Sequence, residues 1–559
     1  MSFHAAVLPS RRAEGRGVRG DVAQPLVLAA LLIALLMTLP VLGIVAHLGA
    51  GTGSTRAVWR HLAGTVLGEA VVTSLTLGTL VTFGAMLVGT GSAWLVTQYD
   101  FPGRRWLTWA LMLPLAMPGY VAAYAYTDFL QFSGPVQTAL REIFGWQPRG
   151  YWFPEIRSLP GAAALFVFVL YPYVYALTRP AFIERGPHLV DAARTLGCSP
   201  RAVFWRVALP LARPAMIAGG MLALMETLSD FGAVEYFGLP TFTQSLYNAW
   251  FNLGDRAAAA QLAVLLLAVV AVVVAVERSL RGARRFTTTA VRGDARRQQL
   301  RGGAALRVFL LCLLPVVAGF VLPALLLLRL HLHLDTRPRW SAYGQWLAHS
   351  VTAGGLTAAL AVALALLVSY AGRLSPRPLV RASNGLVGLG YALPGSVIAI
   401  GVLVPLAALD NSLDAWLRAR FGIASGLLFT GSLMALVYAY LVRYLTVAYH
   451  SIDAGLARIT PNMDLCARSL GATPTATLLR VHLPLLSRSA LAAAVLVFVD
   501  TVKELPATLV LRPFDFDTLA VVTHHFAKDE RLAEAALPAL TIVAVGLLPA
   551  LLLSKTTDR

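Results

Sequence analysis

Four carboxylates stand in stretches of sequence too apolar to solvate them. Glu226 and Asp230 fall within a run near 214–236, and Asp500 and Glu504 within another near 489–511. Members of each pair are four residues apart, which puts them on one face of a helix. The pairs themselves are 274 positions apart, Glu226 to Asp500 and Asp230 to Glu504. A charged side chain at the bilayer centre costs about 2.5–3.5 kcal/mol on insertion scales, so a duplicated pair is not expected to face lipid. Two readings fit. Four acids around a central path would attract a hard cation, which prefers oxygen ligands, although a path that binds such an ion strongly would also stall it. Alternatively the acids pair with Lys503 or cap the ends of broken helices.

Other chemistry is sparse. Tyr120, Tyr124, Tyr171, Tyr173 and Tyr175 invite a phenolate–metal site, but in apolar spans tyrosine serves packing or interfacial anchoring, as Trp152 and Phe153 do. His331, His333, His524 and His525 read as loop residues outside the cytoplasm, with transient metal contact the alternative. Cys198, Cys312 and Cys466 show no CxxC spacing, so no stable metal cluster or disulfide framework is expected. Lys503, Lys528 and Lys555 follow Val, Ala and Ser. No Gly-Lys-[Ser/Thr] phosphate loop exists, and any ATP must be bound by another chain. No nucleophile–base pattern points to catalysis.

The elements that would position these residues are membrane spans. Of 559 residues 57% are hydrophobic and only 13% charged, against about 25% in soluble domains. Runs long enough to cross a bilayer fall near 25–48, 70–97, 106–130, 160–179, 214–236 and 257–276, and again near 308–329, 350–372, 383–409, 425–446, 489–511 and 533–554. The expected fold is all-α, about twelve transmembrane helices in two parallel six-helix repeats. The net charge of +18 comes from arginines beside these runs, where cytoplasmic retention places them, so nucleic acid is not the expected partner. The expected layout is a cytoplasmic tail (1–24), a first repeat (25–277), an arginine-rich cytoplasmic linker (278–307) and a second repeat (308–559), both termini cytoplasmic.

Between the fourth and fifth runs of each half lies a polar island. DAARTLGCSPRAVFWRVALPL (191–211) and LCARSLGATPTATLLRVHLPL (465–485) share eleven of 21 positions, among them Ala193/Ala467, Arg194/Arg468, Gly197/Gly471, Pro200/Pro474 and Pro210/Pro484. Each spells a helix stopped by glycine, a Ser or Thr cap with proline at the first helical position, and a second short helix ending near the Leu-Pro pair. Val203, Phe204 and Val207, with Leu478 in the second copy at the place of Phe204, form an apolar stripe suited to a partner's groove. Pro118-Gly119 and Pro394-Gly395 should break the third helix of each half, and broken helices in matching places point to a translocation path.

The islands resemble the EAA loops of permease subunits in type I ABC importers: an acidic residue, two small residues, a glycine, then a hydrophobic–Pro pair. Asp191-Ala192-Ala193 and Gly197 fit. The second copy departs from the pattern, with Leu465 at the acidic position, Cys466 at the first alanine and Asp464 one residue early. GYWFPEIRSLPG (150–161), METLSDFGAVEYFGLPTFTQSLYNAWFNLGDRAAAAQ (225–261), KELPATLVLRPFDFDTLA (503–520) and DERLAEAALPAL (529–540) resemble the fused ferric-iron permeases. The resemblance implies a multi-pass bacterial inner-membrane subunit without enzymatic activity, coupled through its loops to an ATPase dimer that carries ATP-Mg. It also implies a substrate-binding protein on the far side. Thiamine, a phosphonate or a polyamine are rival cargoes, and a secondary transporter is a rival class.

Overall fold

A computed structural model describes residues 23–46, 53–148, 150–185, 187–281, 297–333, 339–375 and 377–557. The expected tail up to residue 22 and half of the expected linker (282–296) lie outside them. Each expected span has a helical counterpart: α1 (Ala23–Ala46), α2 (Leu67–Gln98), α3 (Gly119–Leu130), α4 (Leu159–Arg185), α5 (Pro200–Ser229) and α6 (Arg256–Arg281). The second half supplies α7 (Gly302–Leu332), α8 (Trp340–Leu374), α9 (Gly395–Phe421), α10 (Leu433–Ala457), α11 (Pro474–Val502) and α12 (Leu532–Thr557). Among the described residues ten helices are long and apolar enough to cross a membrane, or eleven with a bent pair counted as one span. That pair is Arg104–Ala116 with Gly119–Phe144, the segment that opens with α3, turned by 92°. α10 is not among the eleven because Arg443 and four tyrosines dilute its apolar surface.

Three expectations about element ends are corrected. Helix α9 runs on to Phe421, well past 409, and α10 starts at Leu433 rather than 425. The turn between them is fixed by Asp410, whose carboxylate accepts from the amides of Leu428, Phe429 and Thr430. The second short helix of each island does not end at Leu-Pro but continues into α5 or α11. Here Leu209 donates to Phe204 and Leu483 to Leu478, five residues back. This π turn widens the helix where Pro210 or Pro484 would otherwise clash with the preceding turn, so proline is passed without a break. Finally, α5 stops at Ser229 and α11 at Val502. Asp230 and Glu504 therefore sit beyond the helix ends and do not share a helical face with Glu226 and Asp500.

Within each half a three-helix bundle forms the core: α2, α4 and α5 in the first, α8, α10 and α11 in the second. The leading helices are exchanged. Ile33 and Ala34 of α1 are buried in the second half's core beside Ala361, Val402 and Leu436. Cys312, Val316 and Leu327 of α7 are buried in the first half's core beside Leu107 and Tyr171. Close backbone approach seats both: a Cβ on Gly401 would lie 2.6 Å from the Pro40 carbonyl oxygen, and one on Gly319 would collide with that of Phe168. Just past the end of α2, Tyr99–Asp100 pairs in parallel with Gln298–Gln299, tying the start of the second half to the first.

Candidate functional site

The conspicuous site is built where α5 and α11 stop. Asp230 has an extended backbone (ψ 138°) and its Oδ1 accepts from the amides of Ala233 and Val234, 3.0 and 3.2 Å away. It thereby caps the short helix Gly232–Tyr236. Glu504 does the same for Pro506–Leu511, accepting from the amides of Ala507 (2.9 Å) and Thr508 (3.0 Å) and from the Thr508 hydroxyl (2.7 Å). A carboxylate at a helix N-terminus satisfies donors that have no helical partner and opposes the helix dipole. The capping alternative raised by the sequence thus describes Asp230 and Glu504.

One turn earlier, Asp500 pairs with Lys503 at 2.8 Å, and Glu226 lies 3.8 Å from Arg443. The same guanidinium is 3.6 Å from Glu504, so one arginine stands between a carboxylate from each half. Arg443 is the site residue that sequence reasoning passed over. A lone arginine amid VYAYLV and YLTVAY was a signal, because ionisable groups within membrane spans mark functional interiors.

The Pro-Gly breaks converge on the same place. Pro118 (ψ 141°) and Pro394 (ψ 140°) are the extended residues before α3 and α9. A Cβ on Gly119 would lie 3.6 Å from Asp230 Oδ2, and one on Gly395 only 2.6 Å from Glu504 Oε1 and 2.9 Å from Arg443 Nη1. A cavity of ≈ 110 Å³ is lined by Pro118, Gly119, Tyr120, Tyr173, Glu226, Asp230, Arg443, Tyr444, Lys503 and Glu504. Asp500 and Pro394 are not in its wall; Asp500 reaches it only through Lys503. Tyr124, Tyr171 and Tyr175 are fully buried packing residues, whereas Tyr120 and Tyr173 face the cavity. His524 is taken up by Glu235 (3.0 Å) and the Tyr124 hydroxyl (2.8 Å). The described residues contain no group of three or more His, Cys, Asp or Glu side chains placed to hold a metal.

The two polar islands, 191–211 and 465–485, form elbows that share one geometry. Gly197 and Gly471 have φ of +82° and +81°, a conformation that costs glycine nothing. Cys198 donates to the Ala193 carbonyl and Ala472 to that of Ala467, closing the first helix. Ser199 and Thr473 cap the next helix through the amides of Ala202 and Ala476, with Pro200 and Pro474 in its first turn. The acids differ. Asp191 lies 3.7 Å from Arg194, which also reaches Gln98 at the end of α2. Asp464 holds Arg373 at 2.8 Å and His482 at 2.7 Å, where the first copy has buried Val190 and Ala208. Burial would raise the Asp464 carboxyl, but the hydrogen bonds from Arg373 and His482 keep it below the usual range. Arg468 occupies the last turn of its helix.

The expected docking stripe is corrected. Val203 is buried and Phe204 packs on Trp94, 5.2 Å between ring centroids; Leu478 is likewise half-buried. What the elbows offer outward is Leu196 (84% exposed) and Leu470 (87%), and also Trp205 and Leu479.

Residues 26–282 match the model of the family described as binding-protein-dependent transport system inner membrane component. The molybdenum transport system permease protein ModB of Escherichia coli is 31% identical over 206 residues, 36% of this chain and 87% of that protein. The chain belongs to this permease family. The sulfate transport system permease protein CysT of Salmonella typhimurium is 30% identical over 210 residues, 37% of this chain and 71% of that protein. The Fe(3+)-transport system permease protein FbpB 2 of Haemophilus influenzae is 25% identical over 541 residues, 95% of this chain and 98% of that protein. This permease is thus an inner-membrane, multi-pass transport subunit of the fused, two-repeat kind.

Proposed function

We propose that this permease moves ferric iron into the cytoplasm, receiving it from an extracytoplasmic binding protein and driven by a pair of ATPase subunits docked on the two elbows. The observation that carries the cargo is the end-to-end match to a ferric-iron permease that is fused in the same way, whereas the molybdenum and sulfate relatives each align to about a third of the chain. The site's charge agrees with it: Glu226, Asp230, Asp500 and Glu504 outnumber Arg443 and Lys503, and carboxylate oxygen suits a hard cation.

The elbows, the linker and both termini lie in the cytoplasm in this reading, as the arginines require. Closure of the ATPase pair on ATP draws the elbows together. Because the second short helix of each elbow is continuous with α5 or α11, its displacement reaches Asp230 and Glu504 directly and shifts the population between outward- and inward-facing states. The ATPase performs the hydrolysis.

The test is uptake of labelled Fe3+ by proteoliposomes holding the permease, its ATPase and its binding protein, with molybdate and sulfate as competitors. Saturable ATP-dependent iron uptake that neither oxyanion inhibits is expected. Uptake of an oxyanion instead of iron would overturn the cargo, and uptake without the ATPase would favour a secondary transporter.

A further inference from the structure

We propose that Arg443 is a tethered stand-in for the cargo cation: in the closed path it neutralises Glu226, and separation of the halves frees that carboxylate to take an oxygen-seeking cation. The inference deepens the proposed function by assigning a state-dependent site and the residue that controls it.

The two carboxylates beside Arg443 are held differently. Glu504 belongs to the same half and is fixed by the amides of Ala507 and Thr508. Glu226 comes from the opposite half, and among the described residues Arg443 is its one ion-pair partner. Movement of the halves therefore breaks Arg443–Glu226 and leaves Arg443–Glu504 in place.

The arginine is loosely held. Its separations of 3.6 and 3.8 Å exceed the roughly 2.7–2.9 Å of a charge-assisted hydrogen bond, and its buried Nε has no partner among the described residues. The guanidinium carbon lies 5.9 Å from the ring centroid of Tyr391 and 5.5 Å from that of Tyr444, faces on which a displaced cation can rest. A second unsatisfied group points to a ligand as well: the Tyr120 hydroxyl is buried in the cavity wall with no hydrogen-bond partner among the described residues.

The experiment uses the purified permease–ATPase complex without nucleotide and Tb3+ as a hard trivalent probe, its luminescence sensitised by nearby tyrosines. Arg443→Gln is expected to gain Tb3+ affinity at least tenfold over wild type. Arg443→Lys, which keeps a tethered cation, stays at the wild-type value, and Arg443→Gln with Glu226→Gln returns to it. Equal affinity in wild type and Arg443→Gln, or a gain that survives Glu226→Gln, overturns the proposal. Should Arg443→Gln fail to assemble, Glu226→Gln alone decides: iron uptake must fall at least tenfold while the ATPase still co-purifies, and unchanged uptake refutes it. If wild type carries no iron yet the terbium results hold, the cargo assignment fails and the cation site stands.

Discussion

At the residue scale, two glycines decide how closely the cap carboxylates approach the broken helices, and they are not equivalent. A Cβ at Gly395 would press at 2.6 Å on Glu504 Oε1, which the Ala507 amide anchors, and at 2.9 Å on Arg443 Nη1, whereas at Gly119 it would meet the edge of the Phe166 ring at 2.9 Å and Asp230 only at 3.6 Å. Gly395→Ala should therefore cut transport by an order of magnitude or more and destabilise the fold by about 1–3 kcal/mol, the usual range for overpacking, while Gly119→Ala has the smaller effect. Uptake in proteoliposomes and thermal unfolding in detergent check both, and equal effects would contradict the geometry. The Pro-Gly pairs and the duplicated acids were legible in the sequence. Capping was one of the readings the sequence left open, but that Asp230 and Glu504 lie past the helix ends was not legible, because i, i+4 spacing assumes a helix running through both positions, and here it ends between them.

At the scale of the element, the elbow was read correctly in its stops and caps because glycine, Ser/Thr and proline each act through the backbone within a few residues. The face it offers was misread, since which side of a short helix is buried depends on distant chain: Trp94 of α2 covers Phe204. Leu196→Asp combined with Leu470→Asp should abolish co-purification of the ATPase and leave the melting temperature of the permease nearly unchanged. Phe204→Ala should instead lower the permease's own stability by about 2–3 kcal/mol, short of the full cost of a completely buried ring. The second elbow carries a brace that the first lacks. Asp464→Asn removes the charge that holds Arg373 and His482, an expected loss of about 1–2 kcal/mol. Because the folded carboxyl titrates below its unfolded value, the stabilisation is present above an unfolded pKa of about 3.9 and is lost as the pH falls through the folded one. Thermal melts of wild type and variant at neutral pH and in acid should therefore converge in acid.

At the scale of the whole molecule, the repeat announced two similar halves but not their interleaving, since an apolar stretch carries no mark of which bundle it lies against. The structure shows α1 on the second half and α7 on the first, so any rotation of one half carries the other's leading helix with it. The gate at Arg443 must then open by sliding within a clasped pair, and the covalent link between the halves is not what holds them together. Gly401 against Pro40, Gly43 against Pro405 and Gly319 against Phe168 and Pro114 are contacts that form only across the exchange. Cutting the chain between residues 282 and 296 and expressing the pieces together should leave a complex that co-purifies through a tag on either piece and still transports. Expressed without the second half, the first presents Ile33 and Ala34 with no core to enter and should be degraded or aggregate. Gly401→Leu, which drives a side chain into the Pro40 backbone, should separate the cut pieces while the intact chain still reaches the membrane. Co-purification of the cut Gly401→Leu pieces at the wild-type yield would show that α1 is not the clasp.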